Sequence, residues 1–579
     1  MEASDLSQLV RNTGRFREVV AILAKYGFAD WLQGTNAEWA RALLKNSQAN
    51  ELGALSRNER IRQAITELGT TFIKLGQVLS TRPDLVGIEL ADELAELRTG
   101  TPPDAPEVVK LIVEEELGAT TDKLFERFDD KALASASIGQ VHKATLHDGS
   151  RVVVKVQHPG IEDRIQNDLE ILEKLAELAE KYLPQMRQYR PVETAADFRR
   201  TLLRELDFRS EKRNLERFRR NFKDDQGVCF PKPYSELSSQ RVLTMDLLEG
   251  TNLSDSTALR SSNYDLKTLA RGGANLFVEM IFRDGFYHAD PHPGNLMVLV
   301  NDTPGVQPRQ ERSRSHREPS VDPERPVAII GVLDCGMVGR LDESLREDIE
   351  RALLAVAQSD SGPVVEIIMR RGATPDDLDP DDLRLDVEDF LEQYTQQSLN
   401  EFDLSGCLNG IVEIIRRHEI VLPAKIAMLL KVLVMLEGTA QQLSPQFNLA
   451  EIIEPHARKS FREKFSPQRF LKKMESRYHD WDNLLEILPR DAADILHRLK
   501  KGSFDVHLSH RRLETTINRL VLGILTAALF MGSASLLSQS VPPLAWDISV
   551  PGAVGCGIAL WLGYTLIRAI KRMGDIQQK

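Results

Sequence analysis

The sequence predicts an α+β core set between helical segments and followed by a two-helix membrane hairpin. Three observations carry that expectation. Apolar residues recur at helical spacing through residues 1–100, strand-like runs around tight turns occupy residues 134–157 and 241–250, and two long uncharged stretches close the chain.

Each part follows from its own residues. "FREVVAILAKYGFADWL" and "IRQAITELGTTFIKLGQVL" repeat apolar positions at helical spacing. The N-terminus "MEASDLSQLV" has no basic stretch ahead of an apolar core, so no secretory signal is expected. "SIGQVHKATL", "HDG" and "SRVVVKVQ" read as strand, turn, strand. Two charged helical runs follow, "IQNDLEILEKLAELAEKYL" and "DFRRTLLRELDFRSEKRNLERF", and "RVLTMDLLEG" reads as a strand ending in a turn. Residues 301–326 are Pro, Arg, Ser and Glu with almost nothing to bury and are expected to be a disordered insertion. Beyond about residue 340 the pattern is amphipathic helix.

Residues 520–538 and 548–567 hold no charge, and roughly 20 apolar residues rising about 1.5 Å each cross a bilayer core of ~30 Å. Arg511, Arg512 and Arg519 precede the first span, and Arg568, Lys571 and Arg572 follow the second. The turn between the spans carries no Lys or Arg. The charge bias predicts both chain ends in the cytoplasm. Gly555, Ala559 and Gly563 recur every four positions, the spacing of closely packed membrane helices.

Composition narrows the function. The 579-residue chain is 42% hydrophobic and 28% charged with net charge −12, and its basic residues lie among acidic ones, which argues against a nucleic-acid partner. Cys229, Cys335, Cys407 and Cys556 form no CxxC pair, so neither a zinc site nor a disulfide framework is expected, as suits a reducing cytoplasm.

The chemistry-bearing residues point to phosphoryl transfer. That reaction needs a strand lysine for nucleotide phosphates, a loop aspartate for the nucleophile, an asparagine five residues on for metal, and an aspartate before glycine for metal. "VVVK" supplies Lys155 directly after a hairpin. "HADPHPGN" supplies Asp290 and Asn295 at the D-x-x-x-x-N spacing, with His288 ahead of them. "VAIIGVLDCG" ends a buried-strand pattern in Asp334-Cys335-Gly336. From Asn295 to Asp334 is 39 positions, and without the 26-residue insertion the remaining 13 suit a short hairpin. A glycine-rich phosphate loop is missing. In its place stands "ALASASIGQVH", whose one glycine is Gly139.

Upstream lies Lys74-Leu75-Gly76-Gln77, a KxGQ motif, and after the charged helix lies Glu205-Leu206-Asp207, an ExD motif. With the alanine-rich loop, these resemble the UbiB family of atypical kinases, also called the ADCK family, over roughly residues 55–450. The resemblance implies a protein kinase-like bilobal fold: an N-terminal helical extension at 1–105, an N-lobe at 106–250, a C-lobe at 251–500 and a transmembrane hairpin at 508–579. It implies ATP and Mg²⁺ as cofactors, with Lys155 on the nucleotide phosphates, Glu211 as its ion-pair partner, Asp290 as the catalytic-loop aspartate, and Asn295 and Asp334 on the metal. It implies nucleotide contacts from Ala134, Ser135, Ala136, Ser137, Ile138, Gly139, Gln140 and Val141. It also lays the KxGQ helix over the cleft, where Lys74 and Gln77 meet Glu205 and Asp207. Two departures stand out. Cys335 replaces the phenylalanine of D-F-G, and "HAD" lacks the arginine of H-R-D, which makes control by a phosphorylated activation loop unexpected.

The activity implied is an ATPase-type atypical kinase at the bacterial inner membrane, its kinase-like part in the cytoplasm, supporting isoprenoid quinone (ubiquinone) synthesis. Its expected partners are membrane lipids and polyprenylated quinone precursors or their biosynthetic enzymes, with room for a homodimer. Two alternatives stay open: a protein or small-molecule phosphotransferase, because "HADPHPGN" also resembles aminoglycoside and choline phosphotransferase loops, and a non-catalytic membrane scaffold.

Overall fold

Ser56 caps the helix that begins at Arg57: its side chain accepts from the Glu59 amide while the Glu59 carboxylate accepts from the Ser56 amide. The computed structural model describes residues 13–28, 55–97, 101–299 (without 183 and 262–263), 328–456 (without 359, 376–377, 396–402 and 454) and 513–574 (without 540 and 546–547). The expected insertion at 301–326 lies outside the described residues. The extension comprises α1 (Thr13–Lys25), α2 (Arg57–Leu68), α3 (Thr70–Ser80), α4 (Pro83–Val86) and α5 (Ile88–Ala95). Gly69, at φ +91°, breaks α2 from α3 in a conformation that favours glycine. Val19, Ala64, Ile65, Phe72 and Leu94 form its own small core.

Next come α6 (Pro106–Leu117), α7 (Thr121–Leu124), β1 (Arg127–Ser135), β2 (Gly139–Thr145) and β3 (Arg151–Gln157), then α8 (Ile161–Tyr182), α9 (Pro191–Leu206), α10 (Phe208–Asn221), β4 (Val228–Cys229) and β5 (Val242–Asp246). Strands β1, β2, β3 and β5 form an antiparallel sheet in that order. β3 alternates faces as its period of two demands. Val152, Val154 and Val156 bury against Val109, Ile112 and Val113 of α6. Val153 faces the main core, and Lys155, two residues on, shares its side. The second charged run, read as continuous, is two helices. Asp207 breaks it in an extended conformation (φ −92°, ψ 96°), where its side chain caps α10 by accepting from the Arg209 amide.

The remaining elements of this unit are β6 (Thr251–Asn252), α11 (Ser256–Ser261), α12 (Leu266–Phe282), β7 (Phe286–His288), β8 (Leu296–Leu299), β9 (Ile329–Val332), β10 (Val338–Arg340), α13 (Glu343–Ala357), α14 (Ser361–Arg371), α15 (Pro380–Thr395), α16 (Leu404–Arg417) and α17 (Ala424–Leu443). The expected hairpin is β8 against β9, with Leu296 opposite Val332 and Leu299 opposite Ile329. It sits in a sheet ordered β4-β9-β8-β6, and β7 pairs with β10. α17 is apolar and long enough to cross a membrane, yet Leu429, Val432, Leu433 and Leu436 are buried in the main core.

The extension is pinned at two points. Asp168 of α8, 1% exposed, accepts from Arg15 Nε at 2.8 Å and from the Thr71 hydroxyl at 2.6 Å. The buried Arg82–Asp84 pair holds the Leu422 backbone just before α17, Arg82 Nη2 donating to the Leu422 carbonyl at 2.9 Å.

Residues 467–579 form a second compact unit. It contains α18 (Leu513–Ser538), a two-residue hairpin of β11 (Leu544–Ala545) and β12 (Ile548–Ser549), and α19 (Val550–Gly574). The second uncharged stretch therefore becomes helical at Val550, two residues later than its expected start. The helices approach closely at small residues: a Cβ at Gly555 would sit 2.1 Å from Ser533 Oγ, and Ala559 is 2% exposed. Ile524, Leu525, Met531, Leu560, Trp561 and Tyr564 turn apolar surface outward. The stretch Val521–Ser538 is long and apolar enough to cross a membrane, and Val550–Thr565 is a shorter apolar helix.

Candidate active site

Lys155 projects from β3 toward the main core, 19% exposed, where an ammonium needs partners. It has two. Nζ donates to Glu211 Oε2 at 2.8 Å and lies 3.7 Å from Asp334 Oδ2, and it stands 5.1 Å over the Phe208 ring. Glu211 comes from the first turn of α10, so the Asp207 cap fixes where that carboxylate points. Asn214, one turn later, donates to the Cys335 carbonyl at 3.0 Å and ties α10 to the Asp334 segment.

Electrostatics divide the two carboxylates. Burial alone would lower the Lys155 pKa, but Asp334 and then Glu211 outweigh it and raise it, keeping the ammonium charged. Burial pushes Glu211 up to about 7, with the Asp334 charge adding to the effect and Lys155 opposing it. Its Oε1 is buried without a hydrogen-bond partner among the described residues. Asp334, half-exposed, is held down at about 2, chiefly by Lys155, with help from the Gly336 amide that donates to Oδ1 at 2.8 Å. The Cys335 thiol is fully buried in the main core, and desolvation raises its pKa well above the usual range. Cys335 thus fills space behind Asp334.

Opposite stands the loop after β7. Asp290 Oδ2 and its carbonyl accept from Asn295 Nδ2 at 2.9 and 3.2 Å. That leaves Asn295 Oδ1 without a hydrogen-bond partner among the described residues. His288 joins this loop to the Asp334 segment: Nδ1 accepts from the Asp290 amide at 3.1 Å, and Nε2 donates to the Asp334 carbonyl. Asp290, Asn295 and Asp334 are therefore tied through one buried ring.

The KxGQ helix is α3. Lys74 forms an ion pair with Glu205, the two side chains 16% and 20% exposed. Glu205 acts on Lys155 and Lys74 acts on Asp334, so this pair lies beside the lysine–carboxylate cluster. Among the described residues neither Gln77 nor Asp207 hydrogen-bonds to Lys74 or Glu205, unlike the expected four-residue contact. The Gln77 amide donates to the Leu97 carbonyl at 3.4 Å, and Asp207 caps α10 while pairing with Arg209 at 2.8 Å. Two positions beyond Glu205, a helix break redirects the Asp207 side chain along the new axis.

The expected nucleotide loop divides as well. Ala134 and Ala136 are exposed and Ser135 is half-buried. Ser137, Ile138 and Gln140 are buried, and Ile138 packs into the main core. Gln140, 0% exposed, accepts from the Asp104 amide at 2.7 Å and meets His142 Nε2 at 2.8 Å. Its side chain props the loop from below. Gly139 and Val141 form strand backbone, and Val141 is only half-buried.

Sequence reasoning missed Asp104 and His158, which clasp this loop, and Lys431 of α17. Lys431 is half-buried with no ion-pair partner among the described residues; burial lowers its pKa, against the pull of Asp92 and Asp290. No local pattern marks any of the three.

A divalent ion fits the oxygens present. No cluster of three or more His, Cys, Asp or Glu side chains suited to a metal occurs among the described residues. The Asp334 carboxylate and the free Asn295 Oδ1 supply two hard ligands, the small protein share that Mg²⁺ takes when nucleotide phosphates and water complete its shell.

The chain is similar to several known proteins. The profile of the ABC1 atypical kinase-like domain matches residues 96–368, that of the UbiB helical domain residues 387–448, and that of the ABC1/UbiB kinase-like C-terminal domain residues 505–572. A probable protein kinase UbiB from Aeromonas hydrophila is 31% identical over 558 residues, 95% of this chain and 98% of that protein. An uncharacterized protein in the hydrogenase 1 5′ region of Clostridium pasteurianum is 29% identical over 97% of this chain and 99% of its own length. Among solved structures, the Rv3197–erythromycin complex from Mycobacterium tuberculosis aligns with a TM-score of 0.41 at 22% identity, covering 64% of this chain and 87% of that one. The lysine–carboxylate cluster, the Asp290 loop and the helix laid beside them thus have a common explanation: the chain belongs to the UbiB family of ABC1 atypical kinase-like proteins.

Proposed function

We propose that this protein is a membrane-anchored, Mg²⁺- and ATP-dependent atypical kinase or ATPase that serves isoprenoid quinone synthesis. One observation carries the catalytic part: the Glu211 and Asp334 carboxylates lie within 3.7 Å of the Lys155 ammonium, and His288 ties Asp334 to the Asp290 loop. Lys155 holds the nucleotide phosphates, and Glu211 holds Lys155. Asp290 accepts the proton of the attacking hydroxyl or water as the new P–O bond forms at the γ-phosphorus and the bond to the β-phosphate oxygen breaks. Asn295 orients that carboxylate through Nδ2, leaving Oδ1 and Asp334 for Mg²⁺, which neutralises charge on the phosphates.

The Lys74–Glu205 pair beside the cluster narrows the space for an acceptor, which favours water or a small molecule over a folded protein. The apolar C-terminal helices support a membrane location, where polyprenylated precursors reside. The names of the UbiB relatives support the quinone assignment.

The test is ATP turnover by the full-length protein in liposomes. Asp290→Asn keeps the shape but removes the base, so turnover is expected to fall about 10²-fold or more. Mg²⁺-ATP affinity and melting temperature should stay at wild-type values. Wild-type turnover in that variant would overturn the catalytic reading.

A further inference from the structure

The loop between β1 and β2 stands where other phosphate loops use glycines, yet its tip is Ala136-Ser137-Ile138. Something outside the loop must orient its peptide groups. His158, 7% exposed and just past β3, does so from two sides. Its Nε2 lies 2.8 Å from the Ala136 carbonyl, and its own backbone amide donates to the Ile138 carbonyl at 3.0 Å. Its Nδ1 lies 2.5 Å from Asp104 Oδ2.

A carbonyl only accepts, so Nε2 is the donor to Ala136, while Nδ1 faces the Asp104 carboxylate. The second layer is equally determined. His142 Nδ1 donates to the Asp129 carbonyl at 2.8 Å, so its Nε2 accepts from Gln140 Nε2, and Gln140 Oε1 accepts from the Asp104 amide.

Peptide planarity turns this clasp into an instruction for the loop. In a trans peptide the N–H points opposite to the C=O of the same unit. Holding the Ala136 carbonyl against His158 therefore aims the Ser137 N–H away from it, and holding the Ile138 carbonyl does the same for Gly139. The Ser137 amide has no acceptor among the described residues although the residue is only 2% exposed. A buried donor left unpaired is unfavourable until an acceptor arrives.

We propose that His158 and Asp104 are positioning residues for the nucleotide, shaping the alanine-rich loop into an amide cradle for a phosphate oxygen of ATP. The inference rests on the ATP-dependent function proposed above. His158 does not touch the phosphate; it fixes the peptide that does.

The experiment compares Mg²⁺-ATP affinity by calorimetry with steady-state kinetics on the full-length protein. Wild type and Asp290→Asn are run alongside His158→Leu, His158→Asn and His158→Gln. Leucine cannot donate and asparagine is too short to reach Ala136, so both are expected to raise Kd and KM for Mg²⁺-ATP about tenfold. Their kcat should change by less than about threefold, a split that general unfolding would not produce. Glutamine reaches the carbonyl with an N–H and should restore most of the affinity. Should His158→Leu fail to fold, the asparagine–glutamine comparison decides. Wild-type affinity in His158→Asn, or equal weakening in the asparagine and glutamine variants, would overturn the clasp. Wild type that binds no Mg²⁺-ATP would instead overturn the functional reading on which it rests.

Discussion

Gly139 shows how a residue type can be right for a reason the sequence does not display. Glycine in a phosphate loop suggests freedom of φ, but Gly139 has no positive φ. What it lacks room for is a side chain: a Cβ there would sit 2.4 Å from the Val156 carbonyl oxygen and 3.1 Å from Gln157 Cα. Both atoms are β3 backbone, which cannot swing aside as the end of a flexible side chain would. Gly139→Ala is therefore expected to destabilise by about 1–3 kcal/mol, the usual range for overpacking. A lowered midpoint in denaturant unfolding would show it, and an unchanged midpoint would mean that β2 and β3 can separate there. Glu211 and Lys155 make the complementary point. Each is identifiable by sequence position, but the unequal treatment of Glu211 and Asp334 by one ammonium arises from burial, which their sequence neighbours do not reveal.

Elements place these residues through their ends and periods. Asp207 belongs to the ExD motif, yet its carboxylate caps α10 and lies two residues from its partner Glu205, which pairs with Lys74. Asp207→Ala should cost about 1 kcal/mol, the usual price of an N-cap, and Asp207→Asn should restore most of it. Thermal unfolding of the two variants tests this, and equal melting temperatures would argue that the carboxylate acts in the site rather than on the helix. Lys155 is the most legible of the site residues because strand alternation alone puts it on the face of Val153. Asp290 and Asn295 follow closely, since one short loop holds both. The break at Asp207 was hidden because Leu206 and Phe208, both buried, keep the apolar pattern running through it.

At the scale of the whole chain, two units are defined, residues 1–466 and 467–579. The main core, the pinned extension and the whole candidate site belong to the first. Removing residues 508–579 should thus give a protein that stays in solution without detergent and binds Mg²⁺-ATP as the full chain does. Loss of nucleotide binding on truncation would show that the second unit contributes to the site. Reporter tags at residue 542 and at the C-terminus should lie on opposite sides of the membrane, and finding both on one side would rule out a spanning hairpin. The strands around the HDG turn, the β8–β9 hairpin, the helical flanks and the apolar C-terminal helices were all readable in advance. Composition and period act over a few residues and do not depend on what lies across the cleft. By itself, then, the sequence determined the elements, the kinase-like order of the motifs and the residues within one loop or strand. The family resemblance already implied Glu211 with Lys155 and Lys74 with Glu205; only the tertiary structure decided that Gln77 bonds to Leu97, that Asp207 caps α10, and that His158 meets Asp104 and Ala136. Those pairs span up to 131 positions. Contact at such distances is set by how whole elements pack and by which buried polar group finds a partner, and no local spacing encodes that.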